Sequence, residues 1–175
     1  MPTIGVAIAV PEPYGTQLRR HRASFGDSQA ETVPTHITLL PPAAIPDGDL
    51  PDIEKHLGEV AASHPAFNTQ LRGSDTFRPL SPVVFVAVAA GFSECEQLAT
   101  DVRSGPLVRD LPFPFHPHVT VAHDLPDPAL DRAAEELSDF DCRFDVRSFA
   151  LYVHDEGSGW LAKRDFVLNG GKQSG

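Results

Sequence analysis

Prolines mark the ends of two short segments rich in β-branched residues, and this feature constrains the fold of the chain most strongly. Pro34 precedes residues 35–40, and Pro41 and Pro42 follow them. In the second half, a proline-rich approach at residues 112–117 leads into residues 118–122. Because proline cannot donate a hydrogen bond to a β-ladder, these positions predict two strands, at 35–40 and 118–122, with sharply set ends.

The remaining pattern alternates strands with helices in both halves of the chain. Apolar alternation and short apolar runs predict strands, and apolar residues at helical spacing predict helices. The predicted strands are residues 3–10, 67–77, 83–89, 142–153 and 160–168, and the predicted helices are residues 12–25, 49–63, 93–102 and 128–137. Ser93 and Glu96 have the spacing of a capping box, which predicts Ser93 as the N-cap of the third helix. This order predicts the α+β class with mostly antiparallel sheets.

Length and terminal composition predict how the chain is organised. A chain of 175 residues fits one domain, or two small lobes that share a cleft. We place this domain at residues 1–169. Residues 170–175 are predicted to form a disordered tail, because they are polar or glycine and lie at the terminus.

The formal net charge of −10 restricts the class of partner. A protein that grips many phosphates of a long duplex needs a basic face, whereas the 14 lysines and arginines of this chain are scattered. The one local cluster, Arg19, Arg20 and Arg22, is interpreted as a solvated helix face. The balance predicts a short substrate, either a nucleotide or the end of an RNA, and no long nucleic-acid duplex.

Membrane and redox signals are absent from the sequence pattern. No apolar run approaches the roughly 18 residues that a membrane helix needs, and residues 1–10 lack the basic start of a secretion signal. Cys95 and Cys142 have no metal-type spacing and are interpreted as reduced thiols. We therefore expect a cytoplasmic monomer with no membrane partner.

Each of the two proline-bounded strands carries a histidine followed two residues later by a threonine. His36 and Thr38 form the first pair, and His118 and Thr120 form the second. Residues two apart on a strand share a face and lie roughly 7 Å apart along it. Each strand is therefore predicted to present an imidazole and a hydroxyl on one side and to pack its other side into the core.

These residue types are the ones that cleavage of a phosphodiester by water requires. A base must take the proton of the water, and an acid must protonate the departing oxygen; histidine can do either near neutral pH. Threonine hydroxyls can donate hydrogen bonds to the phosphate oxygens as their charge grows. No metal or other cofactor is expected, because His116 and His118 share a face but lack a third ligand nearby.

The chain resembles the 2H phosphoesterase superfamily, in the branch of bacterial 2'-5' RNA ligase-like and RNA 2',3'-cyclic phosphodiesterase proteins. The resemblance spans almost the whole chain. It is carried by the two histidine-threonine pairs in their strands and by the following matching segments: residues 4–10, 34–40, 83–88, 115–122 and 160–168.

This resemblance implies a fold and an activity. The implied fold is bilobal, with two mostly antiparallel sheets related by pseudo-twofold symmetry around a central cleft and helices outside. The implied activity is metal-independent hydrolysis of 2',3'-cyclic phosphates of nucleotides or RNA ends to 2'-phosphates. By the same resemblance, His36 donates the proton to the leaving oxygen, His118 accepts the proton of water, and Thr38 and Thr120 bind the phosphate. Nothing in the sequence separates the two histidines.

Two alternatives and one substrate question stay open at this point. The chain could be a non-catalytic nucleotide-binding regulatory module of the same fold. It could also be another enzyme: a 2'-5' RNA ligase or esterase, or a phosphodiesterase acting on ADP-ribose cyclic phosphate. Members that act on RNA often carry an arginine shortly after the second motif, where this chain has Val121, Ala122, His123 and Asp124. This difference favours a small nucleotide-like substrate. Phe115 is the best of four candidates for stacking on a base, the others being Phe25, Phe77 and Phe113.

Overall fold

Eight strands form two antiparallel four-stranded sheets in a computed structural model that describes residues 1–111 and 114–170. The first sheet has the order β2-β1-β7-β8, and the second has the order β5-β4-β3-β6. The strands are β1 (Thr3–Ala9), β2 (His36–Ala44), β3 (Phe67–Thr76), β4 (Val83–Ala90), β5 (His118–His123), β6 (Asp141–Val146), β7 (Ser148–Asp155) and β8 (Gly159–Val167).

Four α-helices accompany the sheets: α1 (Tyr14–Ser24), α2 (Leu50–Ala62), α3 (Phe92–Val102) and α4 (Asp127–Glu136). Each helix buries its apolar positions, as Ile53, Leu57 and Val60 of α2 show. This spacing places the three side chains on one face of the helix. A single continuous core joins the buried residues of the helices to those of both sheets.

The two sheets are built in the same way. In the first, α1 connects β1 to the edge strand β2; in the second, α3 connects β4 to the edge strand β5. The two edge strands that carry the histidine-threonine pairs contact each other. The predicted α+β class and bilobal pseudo-symmetric arrangement are therefore confirmed.

The prediction that a strand ends at Pro41 is wrong. Strand β2 continues through Pro41 and Pro42 to Ala44, and Ala43 and Ala44 pair with Ile4 and Thr3 of β1. Both prolines are exposed. An edge strand has only one paired side, so a residue without an N–H can lie in it with no lost ladder bond.

The predicted single strand at 142–153 is two strands in the structure. Strand β6 pairs with β3 in the second sheet, whereas β7 pairs with β1 and β8 in the first. Only Arg147 separates them. The sequence alternates across this break, but alternation within a segment carries no information about which sheet each half joins.

The predicted capping box at Ser93 is also not formed. The N-cap of α3 is Gly91, which has a positive φ of 87°, and no side chain caps the helix. A Cβ at Gly91 would lie 2.8 Å from Oγ1 of Thr69. The tight approach and the left-handed backbone both favour glycine there.

Two further observations concern the chain as a whole. In the described residues, no helix combines the length and the apolar character needed to span a membrane. Of the predicted tail at 170–175, only Gly170 lies among the described residues, and its backbone N–H donates to the carbonyl of His64.

Candidate active site

The two histidine-threonine pairs occupy edge strands from different sheets. His36 and Thr38 are half-buried on one face of β2, and His118 and Thr120 are half-buried on one face of β5. The residues between them, Ile37 and Val119, are fully buried on the opposite faces. The strands β2 and β5 contact each other, so the two motif strands meet where the two sheets adjoin.

A cavity of about 370 Å³ lies between the two sheets. Its lining includes His36 and Thr38 from β2, Thr120 from β5, and side chains from α1, β7 and β8. His118 is not part of the lining; its ring packs edge-on against Phe77 at 4.9 Å between centroids. The volume is in the range typical of small-molecule sites.

Both imidazoles are held in the same way. Nδ1 of His36 lies 2.6 Å from the carbonyl oxygen of Pro34, and Nδ1 of His118 lies 2.6 Å from the carbonyl oxygen of His116. A carbonyl can only accept a hydrogen bond, so each Nδ1 carries a proton and donates it. The neutral form of each ring therefore has its lone pair on Nε2, the nitrogen that would exchange a proton with a ligand.

The surroundings favour the neutral form of both imidazoles. Burial lowers the pKa of His36, and the positive charge of Arg22 lowers it further. Burial also lowers the pKa of His118, to about 4, and the charges of His116 and His36 lower it by smaller amounts.

A buried cation lines the cavity. Arg22 of α1 is only 5% exposed, and its Nε donates to Oδ2 of Asp27 at 2.8 Å. Its Nη2 donates to Oε1 of Gln29 at 3.1 Å. The interpretation of Arg19, Arg20 and Arg22 as a solvated helix face holds for the first two, which are exposed, and is wrong for Arg22.

Asp27 connects this cation to the second motif strand. Its Oδ2 also accepts a hydrogen bond from the backbone N–H of His123 at 3.0 Å, and its Oδ1 accepts one from the backbone of Gln29. His123 itself lines the cavity. The stretch after the second motif lacks an arginine in the sequence, but the fold supplies a guanidinium beside it from α1.

The aromatic residues predicted as candidates for base stacking pack in different parts of the structure. Phe115 packs against the core, and the guanidinium of Arg103 lies over its ring at 5.3 Å from the centroid. Phe25 is buried in the core, and Phe77 packs against His118. Phe113 lies outside the described residues. Stacking by Phe115 stays a prediction.

Several cavity residues were not predicted from the sequence, among them Arg22, Tyr152 and Trp160. For Arg22 a signal exists, because it follows the buried Leu18 by one helical turn and so shares its face. For Tyr152 and Trp160 the sequence gives only the alternation of their strands. That pattern does not say which face of the sheet borders a cavity.

Comparisons with known proteins find similar sequences and similar folds. A candidate phosphoesterase of Geobacillus kaustophilus is 26% identical over 172 residues, which cover 97% of this chain and 98% of the relative. The crystal structure of TT0787 of Thermus thermophilus matches with a TM-score of 0.73 at 23% identity, covering 98% of this chain and 100% of the other.

A second solved structure shows the same fold with a nucleotide. E. coli LigT complexed with 3'-AMP matches with a TM-score of 0.65 at 20% identity, covering 96% of this chain and 99% of LigT. The family model described as the 2'-5' RNA ligase superfamily matches residues 10–158, which include both histidine-threonine pairs. With two sheets, two motif strands and a family match over most of its length, the chain belongs to the 2'-5' RNA ligase superfamily of 2H phosphoesterases.

Proposed function

We propose that the protein is a metal-independent phosphodiesterase that hydrolyses the 2',3'-cyclic phosphates of nucleotides or RNA ends to 2'-phosphates. One observation carries the proposal. Two imidazoles on edge strands that contact each other are anchored identically through Nδ1, so that both keep Nε2 free of this hydrogen bond for proton transfer. Hydrolysis of a phosphodiester needs a general base and a general acid, and two imidazoles can supply both.

The reaction cleaves the bond between phosphorus and the 3' oxygen. A water oxygen attacks phosphorus while Nε2 of His118 takes one of its protons. Nε2 of protonated His36 gives a proton to the departing 3' oxygen, which becomes a hydroxyl, and the phosphate stays on the 2' oxygen. The assignment of donor and acceptor rests on the family resemblance.

The lowered pKa of His118 suits a proton acceptor, whereas His36 has to become charged when the substrate binds. In the empty cavity, burial favours the neutral form of both rings near neutral pH. A bound anionic phosphodiester raises the pKa of the imidazole beside it, because the negative charge stabilises imidazolium. The substrate therefore helps to charge the acid that acts on it.

Donors for the phosphate oxygens come from three side chains of the cavity. Thr38 and Thr120 lie on the same strand faces as the two histidines and contribute hydroxyls. Arg22 contributes positive charge from α1, held in place by Asp27. Growing negative charge on the phosphate would be stabilised by donors that are already oriented. E. coli LigT has been crystallised with phosphate and with 3'-AMP, which supports a nucleotide ligand here.

The test is hydrolysis of 2',3'-cyclic mononucleotides in the presence of EDTA, with the product identified by phosphorus NMR. We expect a 2'-phosphate product from the wild type and loss of turnover in His36→Ala and His118→Ala. His21→Ala, which removes a histidine outside the cavity, is the matched control and should keep its activity. Nucleotide binding without turnover would instead favour a regulatory binding module. A product joined to a second nucleotide would favour ligation.

A further inference from the structure

The floor of the cavity on the first sheet is made of very small residues. Gly5, Val6 and Ala7 of β1 line the cavity, and Val6 is also buried in the core together with Ile4. In the sheet register, Thr38 pairs with Ala7 and Tyr152 pairs with Gly5. Thr38 and Tyr152 thus flank β1 on opposite sides and are offset by two residues along it, roughly 7 Å.

Trp160 covers this floor from the edge strand β8. It pairs with His154 of β7, yet its indole reaches past β7, so that a Cβ on Gly5 would lie 3.5 Å from its Cζ3. The indole therefore lies in van der Waals range of the cavity face of β1 at Gly5. Trp160 also packs against Ala7, Ala150 and Tyr152.

The backbone before Trp160 is fixed to the segment that precedes the first motif. The N–H of Trp160 donates to the carbonyl of Thr32 at 3.4 Å. Gly159 has a positive φ of 80°, and a Cβ there would lie 2.8 Å from the same carbonyl oxygen. Only glycine fits this approach without strain. The position of the indole is therefore tied to the strand that carries His36 and Thr38.

The indole is half-buried and lines the cavity, so part of its surface faces the space that a ligand would occupy. Phe115, by contrast, packs on the core beneath a guanidinium. An aromatic side chain in a cavity wall offers a flat apolar surface on which a planar base can stack. The indole edge at Gly5 and Thr38 on the neighbouring strand are separated by two residues along β1 and one strand spacing, roughly 8 Å, a separation of the order of that between the phosphate and the base of one nucleotide.

We propose that Trp160 is the stacking surface for the base of the substrate, and that it makes the cavity selective for phosphoesters that carry one aromatic base. This inference rests on the proposed function for the location of the phosphate. It assigns a specificity-determining role to Trp160 and makes a cyclic phosphate without a base a poor substrate.

The chain contains one tryptophan, so its fluorescence reports directly on this residue. Adenosine 2'-monophosphate should change the emission of Trp160 on binding, whereas ribose 5-phosphate and inorganic phosphate should change it little. Calorimetry with the same ligands gives their affinities. In Trp160→Leu, the ratio of nucleotide affinity to phosphate affinity should fall about tenfold to a hundredfold, and Trp160→Phe should restore most of it.

Leu161→Ala is the matched control, because Leu161 is the exposed neighbour on the other face of β8. It should keep the wild-type affinity ratio. An unchanged ratio in Trp160→Leu, or equal hydrolysis of a cyclic nucleotide and of glycerol 1,2-cyclic phosphate, would overturn the inference while leaving the hydrolase intact. Base-dependent binding without any turnover would support the stacking role and reject the proposed function. Should Trp160→Leu fail to fold, the fluorescence response and Trp160→Phe still decide the question.

Discussion

Replacing His118 with asparagine should flatten the dependence of folding stability on pH. In the folded protein, burial lowers the pKa of His118 to about 4, whereas its ordinary value is 6.5. A group whose pKa is lowered on folding binds its proton more weakly in the native state. Protonation therefore favours the unfolded chain, and stability is lost as pH falls from 6.5 towards 4.

The size of the effect follows from the difference in pKa. Between the ordinary pKa of 6.5 and a measurement at about pH 5 lie roughly 1.5 units, each worth about 1.4 kcal/mol per proton. His118 should thus lower the free energy of unfolding by about 2 kcal/mol between pH 7.5 and pH 5. His36 changes stability in the same direction, since burial also lowers its pKa.

The assay is urea unfolding followed by circular dichroism at about pH 7.5 and about pH 5. The wild type should lose roughly 2 kcal/mol more over this interval than His118→Asn. Val119→Ala, which removes a buried neighbour that does not titrate, should lower stability equally at both pH values. Parallel losses in the wild type and in His118→Asn would refute the claim that this imidazole is buried in its neutral form.

The remaining predictions concern catalysis and the buried cation. The pH profile of kcat/KM should be bell-shaped, and its alkaline limb should fall below the ordinary range of histidine, because both pKa values are lowered in the free enzyme; a flat profile from about pH 5 to 8 would contradict a pair of imidazoles. Thr38→Ala and Thr120→Ala should each lower kcat roughly tenfold to a thousandfold, with partial recovery in the serine variants, as steady-state kinetics can check. Arg22→Gln should lower the free energy of unfolding, measured in urea, by roughly 3–5 kcal/mol, because Asp27 is left as a buried charge. Adding Asp27→Asn should recover part of that loss. Additive effects of the two substitutions would show that the pair is not coupled.

The motif strands could be predicted because all the local sequence signals in these segments indicate the same secondary structure. At residues 36–38 and 118–120, proline boundaries and β-branched neighbours indicate a strand, and the alternation of a strand decides which side chains share a face. Such information is contained in a few consecutive residues. It sufficed to place His36 with Thr38 and His118 with Thr120.

What escaped prediction depends on contacts between distant segments. Pro41 and Pro42 remain in strand β2 because that strand lies at a sheet edge, which only the assembled sheet determines. The role of Arg22 depends on Asp27 and on the backbone of His123, 96 residues further along the chain than Asp27. The position of Trp160 depends on packing against Ala7 and Tyr152 and on a hydrogen bond to the carbonyl of Thr32, which lie far from it in the sequence or in another strand.

A crystal structure with bound phosphate or vanadate tests the central claim most directly. The account predicts one anion in the cavity, with Nε2 of His36 and Nε2 of His118 both within hydrogen-bond distance of its oxygens and the hydroxyls of Thr38 and Thr120 donating to it. An anion that contacts only one of the imidazoles, or that binds elsewhere while the cavity stays empty, would contradict the account.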